Sequence, residues 1–364
     1  MVPADKGGEK ALLLSSSPHM VSPVSSRRLM AHMLIALAPV TIFGIVLYGL
    51  PALFTILVSV VSAVAAESLF RFLTGRDLRA ADLSAAVSGL LLALIIPPAT
   101  PLWMTALGAV FAVVVAKEFF GGLGANVFNP ALIGRAFLLM SFPMALTSWT
   151  IPGKILADGV SGATPLGIFK LALGAGQTVS QAIAAVGSDF TATGLAASPG
   201  YWPVIRTLLI GNHGGCIGET SILCIFAGGI YLLATKTIDW RTPLAMIVSC
   251  FVTSLVLGLD PLFSILGGGL VFGAVFMATD YVTAPLTSKG KIIFGLGAGL
   301  ITVLIRRWGN YPEGVSYGIL IMNAVTPFLN RLLPRKYGYV PPKKPLPVKK
   351  DGPAGGNRVP GGTL

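Results

Sequence analysis

Charge is what this sequence has least of. Asp, Glu, Lys and Arg together make up 11% of its 364 residues, against 54% hydrophobic. A soluble chain carries about 25% charged residues. So little charge cannot coat a water-exposed surface of this size. That excludes an ordinary soluble enzyme, a disordered chain and a nucleic-acid module, and leaves an integral membrane protein. Acids are scarcer than bases, 14 against 26, for a net charge of +12. Eight of the bases (Arg331, Arg335, Lys336, Lys343, Lys344, Lys349, Lys350 and Arg358) fall at the C-terminal end beside a single acid, Asp351. A basic tail on a membrane protein reads as a cytoplasmic anchor, so no nucleic-acid partner is expected. Cysteine is also rare. Cys216, Cys224 and Cys250 are too few and too badly spaced for a disulfide framework or an iron–sulfur site. His19, His32 and His213 form no ligand set, so no metal is expected. A dinucleotide fingerprint is absent as well.

What the chain does have is long apolar runs, each near the ~20 residues that a bilayer requires. They cover roughly 29–49, 51–73, 83–98, 102–120 and 128–146, then 216–235, 241–258, 262–282, 291–307 and 314–333. Between the two sets lies 147–204, rich in Gly, Ala, Ser and Thr. It has no convincing span, though 168–186 suits a short helix lying on the membrane. Residues 1–26 are polar with no apolar core and cleavage site, unlike a signal peptide. With the N-terminus inside, twenty Lys/Arg fall on inner segments and five on outer ones, with Arg135 inside a span. That asymmetry is a strong positive-inside signal.

The pattern predicts an all-α integral membrane protein with about ten transmembrane helices in two inverted five-helix repeats. Its parts are a cytoplasmic N-terminal segment (1–28), a first half (29–146), an extracytoplasmic loop (147–204), a second half (205–333) and a disordered basic cytoplasmic tail (334–364). Direct sequence support for the repeat is limited to a glycine-rich turn before the fifth and tenth spans, Gly121–Gly124 and Trp308–Pro312.

The outward loop carries Asp158-Gly159-Val160-Ser161-Gly162-Ala163-Thr164-Pro165-Leu166. Small residues around a hydroxyl leave the backbone open to a bulky partner. Thr164 can accept a phosphoester, and Asp158 suits a modifying enzyme's metal. A plain Gly-Ala turn is the competing reading. Acids inside spans are the second signal, because an ionisable group there is costly and functional by default. Asp280 sits among Thr279, Tyr281, Thr283 and Pro285, a set of oxygen donors with a helix breaker that suits a hard monovalent ion or a bound ligand. Glu118 follows Lys117, where a snorkelling pair at a span end competes with a role in an ion path. Glu219 reads equally as a cap or loop brace and as a functional acid, and Glu67 as structural. Asn129-Pro130 reads as an ordinary helix start. Arg135 needs a partner, either an acid or a phosphate.

The chain resembles the family formed by the D subunit of the Rnf electron-transport complex and the B subunit of the sodium-pumping NADH:quinone reductase. The resemblance runs from Ser17-Pro18-His19 to about Arg331. It includes Lys117-Glu118-Phe119-Phe120-Gly121-Gly122, Asn126-Val127-Phe128-Asn129-Pro130-Ala131, Ser161-Gly162-Ala163-Thr164 and Ile217-Gly218-Glu219-Thr220-Ser221. Asp239-Trp240-Arg241, Met277-Ala278-Thr279-Asp280-Tyr281-Val282-Thr283-Ala284-Pro285, Tyr311-Pro312-Glu313-Gly314-Val315-Ser316-Tyr317 and Met322-Asn323-Ala324 complete it. Chain length and Pro165 look more like the Rnf D subunit; Cys216 stands where the family pattern suggests serine.

The resemblance implies FMN bound covalently through a phosphoester to Thr164, in a setting formed by Asp158, Ser161, Gly162 and Ala163, and attached outside the cytoplasm by a flavin transferase. It leaves open a second, noncovalent flavin in the bundle. It implies a multi-pass subunit of a bacterial inner-membrane complex, with both termini cytoplasmic. The partners would be iron–sulfur, NADH-binding and flavin subunits. Electrons would pass between ferredoxin and NAD, coupled to Na⁺ or H⁺. This subunit would not be catalytic alone. The alternatives are a component like the B subunit of the quinone reductase and, in another class, a small-solute channel or carrier without redox chemistry.

Overall fold

A computed structural model describes residues 25–77, 80–150, 152, 161–195, 198, 200–309 and 313–331. Asp158, most of the N-terminal segment, the turn at 310–312 and the basic tail beyond Arg331 lie outside the described residues. Among the described residues the chain is built from helices, with one short strand pair.

Helix α1 (Ser26–Tyr48) is capped by Ser25, whose Oγ accepts from the Arg28 N–H. Gly49, at φ 68°, turns the chain directly into α2 (Leu50–Leu73). Helix α3 (Ser84–Leu94) is short, because Pro97-Pro98 cannot continue it. Helix α4 (Leu102–Val113) runs into a π-helical turn, Val114–Glu118. Asn129 caps α5 (Pro130–Ser141), accepting from the Ala131 and Leu132 N–H groups, with Pro130 at the first position. That is the helix start read from Asn-Pro. Helix α6 (Pro143–Leu146) ends the first half.

Strand β1 (Trp149–Thr150) pairs antiparallel with β2 (Ser161–Gly162), Trp149 opposite Gly162. Two helices then occur where one is expected over 168–186, α7 (Pro165–Gly174) and α8 (Val179–Ala192), and α9 (Tyr201–Ile210) follows them. The break between the first two has a local cause. Gly176 takes φ +79°, and Thr178 with Gln181 forms a capping box that starts α8 anew.

The second half holds α10 (Ile222–Ala234), α11 (Arg241–Val256), α12 (Pro261–Leu266), α13 (Leu270–Phe272), α14 (Ser288–Trp308) and α15 (Val315–Leu329). The expected span over 262–282 is not one helix. Gly267-Gly268-Gly269 interrupts it, with Gly268 at φ 69°, and α13 passes into a second π-helical turn, Gly273–Met277. Among the described residues, α1, α2 and α14 are long and apolar enough to cross a membrane. Their outward faces carry exposed apolar side chains, such as Ile42, Val46, Phe54, Val61 and Leu300, which suits lipid contact.

Glycines let the helix backbones approach. A side chain at Gly228 of α10 would run into the Ala36 carbonyl of α1. On α14, Gly295 and Gly299 lie against Thr242, Ala245, Met246 and Ser249 of α11. Ser249 Oγ donates to the Leu296 carbonyl at 2.6 Å across that seam. Helix α7 packs on the second half, where the Phe169 and Phe263 rings lie 4.6 Å apart.

Candidate functional site

Thr164 is the N-cap residue of α7. Its Oγ1 accepts from the Gly167 N–H at 3.0 Å, and Pro165 occupies the first helical position. The strand pair ends two residues earlier, so β2 and α7 bracket the hydroxyl from both sides. Thr164 is buried, while the neighbouring Ala163 is exposed. A helix N-terminus favours an anion through its unpaired N–H groups and its dipole. The local chemistry therefore suits a phosphoester at Oγ1. Its phosphate oxygens would take over the Gly167 N–H, which the hydroxyl now satisfies. The backbones of Ser161 and Gly162 form β2.

Beside this site, α7 meets α12 and α14 around a cavity of about 150 Å³. Leu166, Phe169 and Leu173 line it from α7, Phe263 and Ser264 from α12, and Arg306 and Arg307 from α14. Lys170 Nζ donates to the Gly309 carbonyl, which ties α7 to the end of α14.

The span acids fall into three places. In the first half, Lys117 Nζ lies 2.7 Å from Glu67 Oε1 and 2.5 Å from Ser84 Oγ. Arg71 Nη2 donates to Glu118 Oε1 at 3.2 Å, and its Nε is 3.7 Å from Glu67 Oε1. Arg76 Nη1 donates to the Glu118 backbone carbonyl. Lys117 is 2% exposed and Glu118 0%. A pair that snorkels to water is thus not what forms. The π-helical turn carries both residues inward, where α2 supplies partners for each. Glu67, read from sequence as merely structural, is the acid that holds Lys117.

The second place joins the two halves. Arg135 of α5 forms an ion pair with Glu313, just before α15. The Cys216 Sγ and the carboxylate oxygens of Glu219 and Glu313 all lie within 4.8 Å of one another. The Cys216 N–H donates to Glu219 Oε1 at 2.8 Å, and its thiol to the Ile95 carbonyl at 3.1 Å. The Gly218 N–H donates to Leu94 O at 2.7 Å. The carbonyls freed where α3 stops therefore hold the Ile217-Gly218-Glu219 loop, and Glu219 braces it. Sequence reasoning offers Arg135 an acid or a phosphate as partner; the acid is Glu313, 178 positions away. The members of this thiol–carboxylate grouping are scattered in sequence, so no spacing of the chain shows them together.

The third place is the end of α10 and the segment after the second π-helical turn. Asp280 Oδ2 accepts from Thr283 Oγ1 at 2.9 Å. Asp280 lines a cavity of about 150 Å³ with Asp239, Thr242, Tyr281 and Lys291. Asp239 is paired with Lys291 at 3.0 Å and with Arg241 at 3.3 Å. Asp280 forms no ion pair among the described residues. Asp239 lies in the connection between α10 and α11. Burial alone would raise its carboxyl, but the Arg241 N–H, Lys291 and the Arg241 guanidinium together hold it below the ordinary carboxylate range.

Broken helices with exposed apolar flanks and buried ion pairs between spans define a polytopic α-helical membrane protein. A family model for NQR2, RnfD and RnfE proteins matches residues 13–338, and the chain belongs to that family. The D subunit of a proton-translocating ferredoxin:NAD(+) oxidoreductase complex from Clostridium ljungdahlii is 40% identical, over 89% of this chain and 96% of its own. The D subunit of an ion-translocating oxidoreductase complex from Stutzerimonas stutzeri is 39% identical, over 89% and 95%. The D subunit of a Na(+)-translocating ferredoxin:NAD(+) oxidoreductase complex from Acetobacterium woodii is 40% identical, over 92% and 98%.

Proposed function

We propose that this chain is the flavin-carrying membrane subunit of an ion-translocating ferredoxin:NAD oxidoreductase, with FMN esterified to Thr164. The observation that carries the reading is the Thr164 hydroxyl itself. It caps a ten-residue helix with its oxygen already directed at a backbone N–H. Tethered FMN supplies one- and two-electron transfer, which links iron–sulfur carriers to two-electron couples. The chain's own part is to fix the tether. The β1–β2 pair and the docking of α7 on α12 limit how far Thr164 can move, so the flavin keeps its place on a surface facing dilute solvent. A flavin transferase outside the cytoplasm would attach it. The chain's partners in this reading are iron–sulfur, NADH-binding and flavin subunits. The relatives' names favour this complex over the sodium-pumping quinone reductase. They do not choose the ion, since a proton-translocating and a Na(+)-translocating relative are equally similar.

The wider architecture in this reading is two inverted five-helix halves, both termini inside and the Thr164 loop outside. It is supported by the charge asymmetry of the sequence and by the packing of the first helix of each half, α1 and α10, on one another. The ion path in this reading uses Asp280 and Glu118. Glu118 ends a π-helical turn and Asp280 follows one, a feature that concentrates at functional sites. Asp280 also lines a cavity while paired with no cation among the described residues.

The test is in-gel ultraviolet fluorescence of the denatured chain, with mass spectrometry of the peptide spanning 155–170. FMN mass on Thr164, lost in Thr164→Ala while the protein stays in the membrane, is the expected result. Covalent FMN persisting in the alanine variant would overturn the assignment.

A further inference from the structure

Arg306 is not explained by packing alone. It is 6% exposed, Nη2 donates to the Gly267 carbonyl at 3.1 Å, and Nη1 donates to the Ser264 carbonyl. Its Nε is buried with no hydrogen-bond partner, and among the described residues it forms no ion pair. Glu219 and Glu313 act on it from beyond ion-pair distance, and a buried guanidinium with no anion in contact is costly. It lines the cavity between α7, α12 and α14 together with Arg307, and no Asp or Glu shares that lining. Lys170, which donates to the Gly309 carbonyl, also lines it, and the remaining walls are mainly apolar and aromatic, including Phe169, Leu173 and Phe263. The volume, about 150 Å³, is of the order that takes a single aromatic ring. Leu166, also in the lining, is two residues from Thr164.

We infer that this cavity receives the pyrimidine end of the flavin tethered at Thr164, with Arg306 and Arg307 facing its N1–C2=O edge. This rests on the attachment proposed above and adds where the ring goes and what sets its potential. Reduction of the ring by two electrons and one proton, the proton going to N5, leaves a negative charge spread over N1 and the C2 oxygen. Guanidinium groups at that edge favour the reduced form over the neutral oxidised form, and so raise the flavin's midpoint potential. The same charge supplies the anion that Arg306 lacks. The other two rings remain outside the cavity, available to a redox partner.

The experiment uses the full-length chain purified with its flavin and titrated with dithionite, which supplies the electrons. Arg307 is the residue to change, because it is exposed and makes none of the carbonyl contacts that hold Arg306. Arg307→Gln should shift the reduced-to-oxidised equilibrium of the covalent flavin about tenfold toward the oxidised form, a fall of roughly 30 mV for a two-electron couple. Arg307→Lys should restore most of it. An independent arm fills the cavity from the other end. Leu173→Trp should leave FMN attached but increase quenching of its fluorescence by acrylamide. Attached FMN whose potential and quenching are unmoved by these variants overturns the inference and leaves the attachment intact. Loss of a bound phospholipid from Arg307→Gln in native mass spectrometry, with the potential unchanged, also overturns it and assigns the cavity to a lipid headgroup. A chain that carries no FMN at all overturns both.

Discussion

Arg135 on α5 and Glu313 at the start of α15 form an ion pair that links the two halves of the molecule, with side chains only 12% and 14% exposed. The pair also borders the Cys216–Glu219 loop, so three separated segments meet at one charge contact. Removing one partner of such a pair strands the other. Glu313→Leu should cost about 3–5 kcal/mol and lower the thermal midpoint of the detergent-solubilised protein. Arg135→Leu with Glu313→Leu should recover much of that loss. A double variant no better than the single one would mean that the pair is not the unit of stability.

Asp280→Asn removes a carboxylate whose side-chain partner is its neighbour Thr283. If this acid serves cation uptake, ion-dependent turnover of the complex should fall and the half-saturating ion concentration should rise, with flavin loading at Thr164 normal. Parental turnover with an unchanged ion dependence would move the path elsewhere.

Orientation is checked by reporters. A fusion after Leu364 should behave as cytoplasmic, and an insertion near Gly176 as extracytoplasmic. The opposite pattern would reverse the topology and make external flavin attachment impossible.

The seam between α11 and α14 leaves no room for a side chain at Gly299, where a Cβ would lie 2.9 Å from that of Ser249. Gly299→Val should cost at least about 1–3 kcal/mol as overpacking and reduce folded yield, read by size-exclusion chromatography. The same change at Gly49, which has open space but φ 68°, should act through backbone strain alone.

Asp239 predicts an acid limb. Its carboxyl is held below the ordinary range in the folded protein, so its contribution to stability is present above the unfolded value near about 3.9. That contribution is lost as pH falls through the lower folded value. Asp239→Asn should flatten the fall in thermal midpoint below about pH 5.

Period and charge make much of this molecule readable from its sequence. The long uniform runs at α1, α2, α11 and α14 are legible because apolar length and helix length coincide there. The runs at 83–98 and 262–282 hold helices shorter than the run for one reason: hydropathy counts Pro97-Pro98 and Gly267–Gly269 as parts of an apolar window, whereas helix does not continue through them. At the candidate site, the Thr164 motif is local in sequence and visible in it. The pairs Lys117–Glu67 and Arg135–Glu313, and Arg306 with the α7 cavity, depend on segments brought together by folding, and no spacing rule reports them. Thr164 as an N-cap is legible in Thr-Pro before an apolar run, a signal easily passed over beside the small-residue pattern around its hydroxyl.

The two π-helical turns, closed by hydrogen bonds from Phe119 N to Val114 O and from Ala278 N to Gly273 O, bear on which changes of chain length the protein tolerates. Such a turn holds one residue more than an α-turn. Deleting one residue within Gly273–Met277 would let the helix close as ordinary α-helix and keep the downstream segment in place. The same deletion in the middle of α14 would rotate every later side chain by about 100° around the axis. The wide turns are therefore positions where single-residue gaps should accumulate as related sequences diverge, while the long spans hold their length.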